Sequence, residues 1–587
     1  MVSPAFSFLE ILGQMPLSSD GLISHATLND NVSVSSPASP AATPEAVVAP
    51  PVAAESPRSS DTLARSAALV SVATMTSRIL GLVRDQVLTI KFGTGDQLDA
   101  FNVAFRFPGL VRDLFAEGAM SAAFVPTFTR ELKRDGKRAG WELGNLVISG
   151  LLVATGIISL LAIIFAGPLT HWIAGDYAKV PGKLELTTQL TQVMFPFLTL
   201  IAVAVAFMGM LNSLRWFFVP ALAPAAFNVA SILSVFVIVP FMKPLGLDPM
   251  MGLAIGTILG GAGQLLIQWP ALRREGFRFR FQFAPTDPRF REVIGLMAPG
   301  TIGLAAVQVN QLVNMWLATH EGTGAVSYLN IAFRLMFLPI GLFGVSIATA
   351  ALPMIARHAA NDDEKGVRDS VSSALRLMLM LNVPATFGLI ALAQPIIEML
   401  VGYGKVSPND VRGMALALIC YAPGLVGYSA VKIASPTFYA MRDSRTPVMV
   451  SVLSVTTNII LNLTLVRFLS YRGLALGTSL AALVNAGLLF WILRGRLHGI
   501  DGRRVTVALV KILAASVVMG IVAWGIEHEL SIWWAGHNAL HRIVRVGVAV
   551  SGGLGMLLIM AKLLGLEDFE RAFGRVLGRL AGRAARG

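Results

Sequence analysis

The stretch SRILGLVRD (77–85), followed by LDAFNVAFRFPGLVRDLFAEGAMSAAFVP (98–126), decides how the rest of the chain is read. It has the apolar content of two membrane spans. Yet Arg78, Arg84, Asp85, Asp99, Arg106, Arg112, Asp113 and Glu117 fall within or beside its apolar runs. An Arg or Asp at the centre of a bilayer costs at least ~2.5–3.5 kcal/mol, so such residues are rare and mark functional sites. On a helix, Thr74, Ser77, Arg78, Gly81, Arg84 and Asp85 fall within an arc of roughly 120°. Ile79, Leu80, Val83 and Val87 point elsewhere. One side of this helix suits lipid, the other a wet, positively charged space.

Composition fixes the class. Of 587 residues, 55% are hydrophobic and 14% charged, and the mean hydropathy is +0.67. A soluble domain carries ~25% charged residues. Many apolar runs reach the ~20 residues that span a hydrocarbon core. They do not alternate over ~10-residue segments, as the strands of a transmembrane barrel would. The chain therefore reads as an all-α polytopic membrane protein. Its net charge is +13 and its pI about 10.2. Nucleic acid is not an expected partner, because the basic residues sit in loops between spans, where the positive-inside rule puts them. The single cysteine, Cys420, excludes an intramolecular disulfide or a cysteine-based metal cluster.

Residues 1–62 stand apart. SPASPAATPEAVVAPPVAAESPRSS (36–60) has the composition of a disordered extension. No basic segment leads into an apolar one, so a cleaved signal peptide is not expected. Beyond it the hydropathy predicts about fourteen transmembrane helices: 66–92, 99–128, 141–168, 187–212, 217–241, 249–271, 291–318, 325–356, 369–396, 410–439, 447–468, 473–494, 506–527 and 541–565. Basic loops alternate with sparse ones. RELKRDGKR (130–138), RREGFRFRFQF (273–283), 357–368, RDSR (442–445), RGRLHGIDGRR (494–504) and the arginine-rich tail share one side. The positive-inside rule makes that side cytoplasmic, with both termini on it.

The chain also repeats. GLAIGTILGGAGQLLIQWPALR (252–273) resembles GLALGTSLAALVNAGLLFWILR (473–494), with Gly252, Gln264 and Arg273 aligned to Gly473, Asn485 and Arg494. AFRFP…FVP (104–126) likewise resembles AFRLMFLP…ALP (332–353). Both offsets are about 220–230 residues and cover six spans. An even number of spans preserves orientation, so these are parallel repeats related by an axis along the membrane normal. The expected organisation is a six-helix lobe at 63–272, a second at 273–496, two extra helices at 497–566 and a basic cytoplasmic tail at 567–587.

Two such lobes place a cavity at their interface, near the midplane. In the first lobe Ser77, Arg78, Arg84 and Arg112 are candidates to line it, with Asp85, Asp99 and Glu117 as supporting acids. In the second lobe Arg334 stands in an apolar run, with Ser327 seven residues earlier on the same helix face. Guanidinium groups bind phosphate or carboxylate through two parallel hydrogen bonds and stay charged when partly buried. An excess of arginine over acid therefore implies an anionic substrate. Asp85 and Glu117 would orient the arginines, or hold them when the site is empty. No enzyme signature is present, and His171, His320 and His358 lack metal-ligand spacing.

SRILGLVRD (77–85), TGDQLDAFNVAFRFPGLVRDLFAEGAMSAAFVP (94–126) and GAVSYLNIAFRLMFLPIGLFGVSIATAALP (324–353) resemble the bacterial lipid II flippases of the MurJ/MviN family. That family lies in the multidrug/oligosaccharidyl-lipid/polysaccharide exporter superfamily. The resemblance implies two six-helix lobes around a cationic cavity, and a groove for a polyprenyl tail formed by the last two helices. It also implies transport of undecaprenyl-pyrophosphate-linked peptidoglycan precursor to the outer leaflet of the bacterial inner membrane by alternating access, for cell-wall synthesis. The family's arginines fall on Arg78, Arg84, Arg112 and Arg334, its acids on Asp85, Asp99 and Glu117, and its cavity serine on Ser327. Lipid II, membrane lipids and cell-wall synthesis proteins are the implied partners of a monomeric chain. Two departures stand out. Phe333 and Phe337 replace acids that some relatives carry, so Arg334 has no local counter-ion and is expected to meet water, substrate or a first-lobe acid. The sodium site of some relatives maps onto Asn458, Asn462 and Thr478. Asn462 replaces an Asp there, leaving at most a weak site for a hard cation. Three alternatives stay open at this point: export of another polyprenyl-linked glycan, drug/cation antiport, and a non-transporting cell-wall scaffold.

Overall fold

In lipid, long apolar segments satisfy their backbone hydrogen bonds only within helices or closed barrels. The computed structural model of this chain is built of helices, with no strand among the described residues. It describes residues 57–114, 120–534, 536 and 538–566, apart from the side chains of 57–69, 71, 114, 121–122 and 298–306. Most of the expected N-terminal extension, Glu117 and the basic tail lie outside the described residues. Residues from Asp61 onward form one compact unit.

The first half comprises α1 (Pro57–Phe92), α2 (Asp96–Leu114), α3 (Met120–Arg134), α4 (Gly136–Ile164), α5 (Ala166–Ala174), α6 (Lys183–Met194), α7 (Pro196–Ser213), α8 (Phe218–Val237), α9 (Val239–Met242) and α10 (Pro249–Arg274). The second half begins with α11 (Pro288–Thr319) and α12 (Ala325–Pro339), passes through a π-helical turn (Ile340–Gly344), and continues as α13 (Val345–Ala360), α14 (Glu364–Ala391), α15 (Ala393–Val401), α16 (Pro408–Tyr421), α17 (Gly424–Ala440), α18 (Arg445–Leu469) and α19 (Tyr471–Arg496). Then come α20 (Gly502–Trp533) and α21 (Ala539–Leu563). Helix starts are fixed by side-chain caps: Asp248, Asp287, Asp363 and Ser407 each accept a hydrogen bond from a first-turn backbone N–H.

Among the described residues, ten helical runs are long and apolar enough to cross a membrane, or eleven if α16 and α17, bent by 42°, form one span. The described parts of the fourteen expected spans lie mainly on helices, but three of the spans miss this measure, so the count of fourteen is not reached. The first two, on α1 and on α2 with α3, carry the charges of the 77–126 stretch, and residues 115–119 between α2 and α3 are not described. The third lies on α11, whose residues 298–306 have no described side chains.

The packing scheme of the first half recurs in the second. α2 packs on α6, α4 on α7, and α10 on both α7 and α8; likewise α12 packs on α16, α14 on α17, and α19 on both α17 and α18. Gly252 and Gly473, aligned in the sequence, make equivalent contacts. Each starts its helix against the backbone of the preceding one, Gly252 at Val239 and Gly473 at Leu465, with no room for a Cβ. A third correspondence emerges at the breaks α6/α7 and α16/α17, marked by Pro196 and Pro423. Proline has no N–H to continue a helical ladder. The same deficit at Pro339 precedes the π turn inside the Ala325–Ala360 run. α20 and α21 pack on each other and against α14 and α15, outside the repeated scheme.

Candidate functional site

α1 and α2 of the first half meet α12 of the second along a polar seam. Arg84 donates through Nε and Nη2 to Asp85 Oδ1, at 3.1 and 2.9 Å. The other Asp85 oxygen, Oδ2, accepts from Arg334 Nη1 on α12. One carboxylate thus holds arginines from both halves, and the counter-ion missing from the neighbourhood of Arg334 in sequence is Asp85. The Arg84 guanidinium also lies 5.3 Å from the Phe227 ring centre. Around this triad is a pocket of about 50 Å³ lined by Thr89, Asn102, Ser231, Thr257 and Asn330. That is room for water, so the halves must part to admit anything larger.

From the triad the seam runs along α2 and α12. Arg334 Nε donates to Asn330 Oδ1 at 3.2 Å, Asn330 Nδ2 to Asn102 Oδ1 at 3.2 Å, and Asn102 Nδ2 to Ser327 Oγ at 3.1 Å. Ser327 Oγ donates to Asp99 Oδ1 at 2.7 Å. Asp99 is fully buried and accepts also from the backbone N–H groups of Gly324 and Ser327, at 2.7 and 3.0 Å. It therefore caps α12 from the other half of the chain. Lys183, buried beside it, lies 3.3 Å from Asp99 Oδ2 and 2.8 Å from Asp96 Oδ1, which accepts from Thr323 Oγ1 at 2.7 Å. Two further links join the halves at this end: Gln86 Nε2 to Leu400 O, and Lys405 N to Ile90 O at 3.0 Å.

The remaining expected residues are placed differently. Asp99 does not meet the arginines; it serves the α12 terminus. Ser327 is buried in the seam. Arg78 is exposed, with Nη1 2.6 Å from where a Cβ on Gly341 would stand, so the absent side chain of the π turn makes its space. Ser77 contributes its carbonyl to Asn228 Nδ2 at 3.0 Å. Arg112 pairs with Asp113 at 2.7 Å and lines a separate small apolar pocket with Met120 and Leu198. Asn102, Asn330, Lys183 and Asp96 were not singled out in the sequence. The signal was the i, i+3, i+7 spacing of Ser327, Asn330 and Arg334, which places all three on one face.

An apolar cavity of about 730 Å³ lies between α14, α20 and α21. Leu377, Leu381, Ala385, Met519, Leu554 and Leu557 are among its lining residues. Its size is within the ~300–1,000 Å³ of ordinary ligand sites.

Asn458, Asn462 and Thr478 do meet, joined by Asn314. Asn462 Nδ2 donates to Asn314 Oδ1 at 2.6 Å and Asn458 Oδ1 at 3.2 Å, and Asn458 Nδ2 donates to Thr478 Oγ1 at 3.3 Å. The cluster is neutral, and an amide nitrogen points at the oxygens that a cation would need. Asn462 Oδ1 is the one oxygen of the cluster left without a hydrogen-bond partner among the described residues. With Asn462 in place of a carboxylate, the set offers a hard cation neutral oxygens and no charge.

A family model described as lipid II flippase MurJ matches residues 89–544. The chain is 34% identical to the probable lipid II flippase MurJ of Vibrio cholerae, covering 87% of this chain and 98% of that one. It is 32% identical to the lipid II flippase MurJ of Burkholderia cenocepacia, covering 81% and 92%. A solved structure of lipid II flippase MurJ in an inward closed conformation matches with TM-score 0.69 at 25% identity, over 86% of this chain and 99% of that one. An inward-facing multidrug transporter of the MATE family matches with TM-score 0.60 at 16% identity, over 74% and 99%, which shows the fold alone. Two halves packed by one scheme, with a cationic site between them, define a multi-pass membrane transporter and not an enzyme. The chain belongs to the lipid II flippase MurJ family.

Proposed function

We propose that the chain carries lipid II, the polyprenyl-pyrophosphate-linked peptidoglycan precursor, from the cytoplasmic to the periplasmic leaflet of the bacterial inner membrane by alternating access. One observation carries the reading: Asp85 holds Arg84 and Arg334 together from opposite halves of the chain. An incoming pyrophosphate offers the same two arginines more oxygens and more charge than one carboxylate. It displaces Asp85 and takes over the bridge between the halves. Arg78 and Arg112 extend the positive lining toward the entrance. The seam from Asp99 to Lys405 lies at the end assigned to the periplasm by the loop charges, and would close that side while the cytoplasmic side loads. The tail follows the apolar cavity beside α20 and α21. Cationic site and tail cavity lie in one chain, in keeping with a monomer with both termini cytoplasmic, and the neutral Asn458–Asn462–Thr478 cluster gives sodium no role in the cycle.

The test is lipid II exposure at the outer leaflet in cells depleted of their own flippase. The unaltered chain is expected to restore it, Arg84→Ala and Arg334→Ala to abolish it at equal membrane abundance, and Arg334→Lys to restore part. Lysine keeps the charge but loses the planar fork. Full exposure with both alanine variants would overturn the mechanism, and none with the unaltered chain would overturn the function.

A further inference from the structure

The connector between the two halves, GFRFRFQF (276–283), joins α10 to α11 and takes no part in the site. Its backbone is held by α4. Asn145 Nδ2 donates to Arg278 O at 3.3 Å, Asn145 Oδ1 accepts from Arg280 N at 3.1 Å, and Ser149 Oγ accepts from Gln282 N at 2.9 Å. The bonded residues are two apart, the spacing of an extended chain with one edge turned to the helix. Side chains of such a chain alternate between two faces. One face carries Arg278, Arg280 and Gln282, the other Phe277, Phe279, Phe281 and Phe283.

The aromatic face begins in the protein and ends outside it. Phe277 is fully buried among Trp141, Phe207 and Trp269. Phe279, Phe281 and Phe283 are 39%, 61% and 51% exposed. Arg273, Arg274, Arg278 and Arg280 are exposed and meet no carboxylate among the described residues. The nearby acids are engaged elsewhere: Glu275 with Lys137 at 2.9 Å, Asp287 with Arg289 at 3.0 Å, and Glu292 with Arg130 at 2.5 Å. Lys137 and the Trp216 indole hold the Glu275 carboxyl below its ordinary pKa, so it stays ionised and paired.

The depth of the ribbon follows from α4. At 1.5 Å per residue, residues 145–164 alone span about 30 Å, the thickness of a hydrocarbon core. Asn145 and Ser149 therefore fix the ribbon at the boundary between acyl chains and headgroups, on the basic side of the molecule.

We propose that residues 273–283 form a membrane-surface site for anionic phospholipid. Phe279, Phe281 and Phe283 enter the acyl region, and the four arginines bind lipid phosphates. The occupant is identified by charge: unpaired guanidinium groups beside exposed aromatics, at headgroup depth, match an anionic lipid surface and not a neutral one. Because Asn145 and Ser149 belong to the first half, the site moors that half and leaves α11 free to start its motion from a fixed point.

The test uses the full chain with its sole cysteine replaced, Cys420→Ser, and Phe281→Cys carrying a spin label. It is reconstituted in vesicles of phosphatidylcholine with or without phosphatidylglycerol. The label is expected to be more accessible to oxygen than to a water-soluble nickel complex, as a site among acyl chains must be. Retention of phosphatidylglycerol over phosphatidylcholine on the purified chain is expected to fall about fivefold for each of Arg278→Gln and Arg280→Gln, the factor that ~1 kcal/mol per basic residue gives. Binding of a soluble sugar-pyrophosphate headgroup by these variants, at the separate Arg84–Arg334 site, serves as the folding control. A label facing water in both vesicle types, as for a protein-docking strip in the cytosol, would overturn the proposal. So would an unchanged lipid preference.

Discussion

In the proposed mechanism Asp85 competes with substrate for the arginines it holds. A hydrogen bond to a charged group is worth about 1.5–3 kcal/mol, and Asp85 makes such bonds to Arg84 and Arg334. Neutralising it with Asp85→Asn removes the competitor and leaves the arginines in place. Affinity for a soluble sugar-pyrophosphate headgroup is expected to rise roughly tenfold, corresponding to about 1.4 kcal/mol. Turnover is expected to fall, because the empty halves lose the charge that brings them back together. Weaker headgroup binding by titration would contradict this order of events. The arginines were legible because charge in an apolar run is costly and conspicuous. Asn102 and Asn330, which link that charge to Asp99, were not: a neutral amide in a helix costs little until its partner is known. Nor was Lys183: a lone lysine beside an apolar run does not show that it is buried against Asp96 and Asp99.

At the level of elements, α12 depends on a cap that its own segment does not supply. Gly324 precedes it with φ of 88°, in the left-handed region that favours glycine, and has no side chain to accept a bond from the first turn. Asp99 accepts instead from α2, 225 residues away in sequence, which is why it read as another acid for the arginines. Asp99→Ala leaves Lys183 charged and buried with Asp96 alone and leaves the α12 N–H groups unsatisfied. Breaking a buried pair of this kind costs about 3–5 kcal/mol. A cysteine at the buried start of α12, Ala325→Cys in the Cys420→Ser background, is then expected to react faster with a membrane-impermeant maleimide when Asp99→Ala is added. Asp99→Asn keeps an acceptor oxygen and is expected to fall between. Equal labelling rates in all three would mean that the seam does not hold this end shut. Element-scale features were partly legible. Gly252 and Gly473 announced the repeat, but the matching breaks at Pro196 and Pro423 went unread, because a proline inside an apolar run does not say whether the helix bends or stops.

For the whole molecule, the question is what each part contributes to moving one amphiphile. The neutral Asn314–Asn458–Asn462–Thr478 cluster predicts the same transport rate in sodium and potassium buffers, measured in vesicles; a sodium requirement would mean that the amides turn their oxygens inward to a cation. The tail cavity calls for a different expectation. Lipid tails are as apolar as leucine, so a chain moving from bilayer to cavity gains almost no hydrophobic free energy. The cavity therefore cannot add much affinity; it can guide the tail while the headgroup crosses between the halves. Ala385→Phe with Leu554→Trp fills the space between α14 and α21 without touching Arg84, Asp85 or Arg334. Headgroup affinity is expected to be unchanged, while turnover of the full-length polyprenyl substrate falls. A short-chain analogue with the same headgroup is expected to turn over at the unaltered rate, since it has no tail to guide. Equal loss for both substrates, or loss for neither, would refute the guiding role. Loss for the long chain alone separates the two functions within one chain: recognition by charge between the halves, and passage of the tail along helices that stand outside the repeat.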